Sequence, residues 1–217
     1  MATQLPLAFP SAENWQEDDF FVSSCNEAAF RTVKAWRDWT SPVTILTGPA
    51  SSGKSHLARI WTADVLGAAG GPVANAPSGE VAYAVFEDVD RTPYSETGLF
   101  HALNSVRELR GRALLTARTP PGTWTVTLPD LRSRLRSYPV TAIEEPDGGL
   151  LAAVLIKHLS DRGLPIAPDV AAFLLARAER SMAAVEALAE RLDYLSLSER
   201  RRITKRFAAE VLKQSGA

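Results

Sequence analysis

Apolar residues between positions 26 and 39 fall at Ala29, Phe30, Val33, Trp36 and Trp39. That three-or-four spacing predicts a helix over 26–39, with Asn26 as its N-cap. The next apolar run has a different form. Val43-Thr44-Ile45-Leu46 is short, β-branched and unbroken, which predicts a buried strand. A Gly/Ser-rich turn follows, and helical spacing resumes from Lys54 to Leu66. Residues 67–79, rich in Gly, Pro and Ala, predict a loop or a weak strand. Strand patterns recur at 81–86, 112–116 and 140–143, and helical patterns at 99–110 and 128–136. Strands that alternate with helices predict an α/β core with a mostly parallel sheet.

After Pro146 the strand pattern stops. Leu151, Leu155 and Leu159 share one helix face, as do Val170, Phe173 and Leu174, and then Val185, Leu188, Leu192 and Leu195. A last helix, 205–213, follows Thr204 as N-cap. This predicts a tail over 1–17, an α/β core over 18–145 and a small all-α domain over 146–217.

Composition narrows the function classes. The chain has 217 residues, 46% of them apolar, enough for a substantial core. Its 24 basic and 25 acidic residues leave a net charge of -1, so no global field draws it to DNA or to a membrane. Its single cysteine, Cys25, permits no internal disulfide and reads as a small hydrophobe. No signal-peptide pattern and no run of about 20 apolar residues is visible, so a soluble cytoplasmic protein is expected. Against this background Gln4-Leu5-Pro6-Leu7-Ala8-Phe9 is unusually apolar for a tail.

The chemistry begins in the turn after the first strand. Gly48-Pro49-Ala50-Ser51-Ser52-Gly53-Lys54-Ser55 has the form G-x-x-x-x-G-K-[ST] between a strand and a helix. Its glycines let backbone N–H groups wrap phosphates, Lys54 is placed to reach the β and γ phosphates, and the Ser55 hydroxyl is placed for Mg²⁺. The helix start adds its dipole, and His56 in its first turn is counted with the nucleotide-binding residues. A P-loop protein also needs an acidic strand end for the metal. Glu87-Asp88 is the candidate, although Glu87 stands where aspartate is usual. Arg132, Arg134 and Arg136 read equally well as a solvated basic face or as the source of an arginine finger.

Taken in order, the phosphate loop, the acidic strand end, Thr116 before Pro120-Pro121, the segment Leu128-Pro129-Asp130-Leu131-Arg132-Ser133-Arg134-Leu135 and the all-α lid resemble an AAA+ ATPase. More narrowly they resemble the bacterial replication initiator DnaA and the related Hda family, regulatory inactivators of DnaA. The resemblance covers nearly the whole chain. Two features favour the Hda side. The chain ends at Ala217 without a DNA-binding domain after the lid, and residues 4–9 resemble the Q-L-x-L-x-F peptide that docks on the DNA polymerase sliding clamp.

The resemblance implies a negative regulator of replication initiation that holds ADP or ATP with Mg²⁺. Its partners would be DnaA, the β sliding clamp through Gln4, Leu5, Leu7 and Phe9, and its own kind through the AAA+ interface. DNA contact would be weak or indirect, with no membrane contact. Arg134 becomes the arginine finger offered in trans, and Phe20 or Phe21 the adenine-side aromatic. Three positions depart from the family: Glu87 at the magnesium site, Arg118 at the acidic first-sensor position, and Ala183 at the second-sensor arginine, with Arg180 three residues away. Weak or absent turnover of its own nucleotide follows. The rival expectations are another AAA+ adaptor such as a helicase loader, a small P-loop phosphotransferase, and a direct DNA-binding initiator.

Overall fold

The computed structural model describes residues 17–75 and 80–213. The clamp-type peptide, Gln4 to Phe9, lies outside the described residues. The chain divides between Glu145 and Pro146 into two compact units.

The first unit is α/β. Strands β1 (Val43–Thr47), β2 (Val73–Ala74), β3 (Tyr83–Phe86), β4 (Arg112–Ala117) and β5 (Val140–Ala142) form one sheet in the order β2-β3-β4-β1-β5. Every pairing is parallel, so each connection must cross over a face of the sheet. Helices α1 (Glu27–Lys34), α2 (Lys54–Ala69), α3 (Glu96–Glu108) and α4 (Pro129–Ser137) cover the faces. All five residues of β1 are buried. Alternation along the strand divides them between two cores. Val43 and Ile45 pack with Leu99 and Leu103 of α3 and Leu131 and Leu135 of α4. Leu46 packs with Ala29 and Val33 of α1 and Leu57 and Trp61 of α2.

The helix predicted over 26–39 is shorter than its apolar spacing. It ends at Lys34, and Trp36–Asp38 form a separate 3-10 turn. The turn buries Trp36 against Trp61, and Trp39 stacks on Trp61 with centroids 5.9 Å apart. Asn26 sits at the N-cap position but its side chain does not cap the helix. Its Oδ1 accepts from Ser23 N at 2.8 Å and its Nδ2 donates to Phe21 O at 2.9 Å, so the preceding turn consumes it.

Gly111 enters β4 beside β3, and a Cβ there would stand 1.7 Å from the Ala82 carbonyl oxygen. Because that neighbour is backbone, relief requires moving a strand. Gly111→Ala is therefore expected to destabilise the fold by about 1–3 kcal/mol, the usual range for overpacking. Urea denaturation checks this, and an unchanged midpoint would show that the two strands separate freely.

The second unit contains α5 (Gly148–Asp161), α6 (Pro168–Leu175), α7 (Met182–Glu199) and α8 (Lys205–Lys213). Asp147, Ser181 and Thr204 cap three of these by accepting from Leu150 N, Ala184 N and Phe207 N. The core joins Leu151, Leu155 and Leu159 to Val170, Leu174, Val185, Leu192 and Phe207. The basic run at 200–206 is largely paired: Arg201 with Glu199 and Glu210, Lys205 with Asp169, and Arg206 with Glu210. Among the described residues no helix is long and apolar enough to cross a membrane.

Candidate functional site

The phosphate loop leaves the sheet at the carboxyl end of β1, between β4 and β5. Thr47 is level with Ala117 and Ala142 in the two pairings, and Gly48 N donates to Ala117 O at 3.2 Å. Ile143 N closes the other side on Thr47 O at 2.7 Å. A Cβ on Gly48 would lie 2.8 Å from Ile143 O and 3.0 Å from Ser52 Oγ. The loop therefore needs glycine here for close approach, independently of any ligand. Ser51 and Gly53 both take left-handed backbone angles, φ 55° and 91°. Gly53 is the N-cap of α2, so the capping residue itself brings no side chain to the first N–H groups of that helix.

Lys54 is buried, at 6% exposure. Its Nζ donates to Gly48 O at 2.9 Å and Pro49 O at 2.6 Å, arching back over the loop. Burial pushes its amine below the ordinary lysine value; Asp88, Asp90 and Glu87 pull it up, and Arg118 adds to the lowering. Ser52 is buried beside Lys54, while Pro49, Ala50, Ser51 and Ser55 face outward. A loop without room for a Cβ at Gly48, an ammonium on the loop carbonyls and a helix start with glycine at its N-cap fit the phosphates of a nucleotide.

Glu87 and Asp88 turn sharply off β3. Asp88 is left-handed, with φ 48°. Its N–H donates to Thr116 Oγ1 at 3.0 Å, and Val89 N donates to Thr116 O at 2.9 Å. Thr116 thus fixes the acidic turn to β4, a role its sequence position did not reveal. Glu87 O accepts from Thr92 Oγ1 and Tyr94 Oη. The Asp90 carboxylate accepts from Arg118 N, Thr119 N and Thr119 Oγ1, so the two strand ends are stitched together. Among the described residues no three His, Cys, Asp or Glu side chains converge as a metal site. Mg²⁺ would therefore depend on Ser55, on Glu87 or Asp88, and on the phosphates themselves.

The segment before α1 packs on the same loop. Phe20 reaches to 3.0 Å of where a Gly53 Cβ would be. It stacks on Phe30 at 5.7 Å and meets His56 edge-on at 5.2 Å. Phe21 and Val22 are exposed, at 38% and 47%. The aromatic packed against the loop is Phe20; the one open to contact is Phe21.

Arg134 lies elsewhere in the unit, on α4. Its Nη1 donates to Asn104 Oδ1 of α3, and its guanidinium lies 4.6 Å from the Phe100 ring centroid. Leu131 and Leu135 anchor α4 in the core. Arg132 is exposed, and Arg136 donates to Gly122 O at 3.4 Å. The three arginines therefore have different surroundings, and only Arg134 is held against a neighbouring helix. Burial raises the Tyr138 hydroxyl pKa nearby, while Arg134 and Arg107 oppose the rise. Neither Asn104 nor Phe100 carries a motif signal. In the second unit Ala183 and Arg180 are both exposed, the former in the first turn of α7.

A parallel five-stranded sheet with the phosphate loop after β1, an acidic turn after β3 and a helical lid has the layout of the AAA+ fold. Residues 150–212 match the family described as "Hda, lid domain". Domain III of the replication initiation protein DnaA from Thermotoga maritima superposes with TM-score 0.80 at 16% identity, over 95% of this chain and 98% of that one. AMPPCP-bound DnaA from Aquifex aeolicus gives 0.67 at 18% identity, over 88% and 70%. A RuvB variant from Thermotoga maritima gives 0.68 at 15% identity, over 92% and 72%. The lid therefore matches the Hda lid family, and the chain as a whole has the fold of DnaA domain III.

Proposed function

We propose that this protein is a negative regulator of DNA replication initiation, a nucleotide-bound adaptor that stimulates ATP hydrolysis by DnaA in trans. The observation that carries this reading is Arg134. It is the arginine of the L-P-D-L-R-S-R-L segment, held on α3 by Asn104 and Phe100, in a chain whose lid matches Hda. A guanidinium presented by a second protein neutralises charge on the transferring phosphoryl group, and its planar fork suits that group better than an ammonium.

The chain's own site serves binding. Lys54 and the loop N–H groups hold phosphates, Ser55 with Glu87 or Asp88 holds Mg²⁺, and Phe21 borders the adenine. Bound ADP or ATP supplies the anionic charge that these donors face. Arg118, where the family has an acid, and Glu87 in place of aspartate weaken the chemistry of hydrolysis more than they weaken binding. The protein accordingly turns over its own nucleotide slowly or not at all.

The direct test follows the ATP bound to DnaA over time, with and without this protein and DNA-loaded sliding clamp. Loss of ATP is expected to accelerate when both are present; no acceleration would overturn the reading. Clamp docking belongs to residues 4–9, where Leu7 and Phe9 fill an apolar pocket and Gln4 hydrogen-bonds at its rim. Replacing Gln4, Leu7 and Phe9 together with alanine is expected to abolish co-elution with the clamp while leaving nucleotide affinity unchanged. Co-elution of the triple variant would remove the tail from the mechanism.

A further inference from the structure

Helix α4 begins without a cap of its own. Leu128 occupies the N-cap position, its side chain makes no capping hydrogen bond, and Pro129 follows with no N–H to offer. The acceptor comes instead from the first turn of α3. The Glu96 carboxylate accepts from Thr127 N at 2.9 Å, Thr127 Oγ1 at 2.7 Å and Leu128 N at 2.7 Å. These bonds, from the backbone and hydroxyl of Thr127 and the backbone of Leu128, hold the Glu96 carboxyl below the usual carboxylate range. A carboxylate at this end of a helix is also favoured by the helix dipole.

The same two helices touch again further along. Asn104 of α3 accepts from Arg134 of α4, and Leu99 and Leu103 lie in one core with Leu131 and Leu135. Residues 96 and 104 are two turns apart on α3, about 12 Å along its axis. Two polar attachments at that separation, with an apolar contact between them, stop α4 from turning about its axis or sliding along it.

We propose that Glu96 is a positioning residue for Arg134: by capping the start of α4 from α3, its carboxylate sets the rotation and depth at which the guanidinium is offered to the partner's nucleotide. This rests on the reading of Arg134 as a finger. A catalytic group must be held to within about 0.5 Å and 10–20° by the residues behind it. A displacement of 1 Å can cost about 100-fold in rate.

The experiment measures DnaA ATP hydrolysis against concentration of the full-length protein, with loaded clamp, for wild type, Glu96→Ala, Glu96→Gln and Arg134→Ala. Hydrogen exchange at the Leu128 amide and circular dichroism are read on each. Glu96→Ala is expected to lower the maximal stimulated rate by about 10- to 100-fold, with the half-saturating concentration and nucleotide affinity unchanged and Leu128 exchange faster. Glu96→Gln keeps one acceptor oxygen and is expected to fall between the two, which preserves the test if the alanine variant does not fold. A wild-type maximal rate in a Glu96 variant whose Leu128 exchange is accelerated, with Arg134→Ala inactive, overturns the proposal and leaves the finger standing. So does a raised half-saturating concentration at unchanged maximal rate, which marks a docking role. An active Arg134→Ala removes the finger itself, and the proposal with it.

Discussion

Replacing Arg134 with alanine is expected to leave the protein folded, nucleotide-bound and clamp-bound, yet unable to stimulate DnaA. Fingers supplied in trans are worth roughly 10³–10⁵-fold in rate in P-loop NTPases. The loss should fall mainly on the partner's reaction, because the Asn104 and Phe100 groups that the guanidinium meets are half-buried and the apolar anchors of α4, Leu131 and Leu135, remain in the core. Arg132→Ala and Arg136→Ala should lose far less. Each is two positions away, about 200° around the helix, and Arg136 already leans toward Gly122 O. Arg134→Lys should not rescue, since an ammonium lacks the guanidinium's fork of donors. The measurement is DnaA-bound ATP remaining over time for all four variants. An inactive Arg132→Ala beside an active Arg134→Ala would move the finger to Arg132. Activity in all four would leave a scaffold that works by holding DnaA in place.

Lys54→Ala is expected to abolish nucleotide binding at accessible concentrations, a fall of at least about 100-fold, equivalent to one or two charge-assisted hydrogen bonds. The fold should survive. Lys54 is buried at an energetic cost to its charge, so removing it relieves desolvation even as it leaves Gly48 O and Pro49 O without that donor. Calorimetry with ADP and circular dichroism decide the matter. Unchanged affinity with an unchanged spectrum would mean that the loop N–H groups alone hold the phosphates.

The parts of this molecule written in local pattern were legible in its sequence. Val43 to Ser55 reads as strand, loop and helix because each piece is set by neighbours a few residues away, and the structure has β1, a left-handed turn and α2 there. The leucine stripes of the lid fell where the helical unit has its core. What escaped was written across distance. Asn104 reaches Arg134 across 30 residues, Asp90 reaches Arg118 and Thr119 across 28 and 29, and Glu96 reaches Leu128 across 32. A polar side chain of this kind looks solvated until the fold supplies its partner. The 26–39 spacing misled in another way. Trp36 and Trp39 keep the helical period but are placed by a 3-10 turn, because burial against Trp61 outweighs continuing the helix.

That tryptophan cluster has an optical consequence. All five tryptophans of the chain, Trp15, Trp36, Trp39, Trp61 and Trp124, precede Pro146, and the lid has none. The indoles of Trp39 and Trp61 are parallel within 1°, and Trp36 meets Trp61 at 78° with centroids 6.5 Å apart. Electronic transitions held this close and at fixed angles couple, so the near-ultraviolet dichroism of the folded protein should carry a split indole band that vanishes when α1 and α2 part. That band therefore records melting of the α/β unit, whereas the amide signal in the far ultraviolet sums both units. Comparing the two melting curves separates one cooperative transition from two without any label being attached.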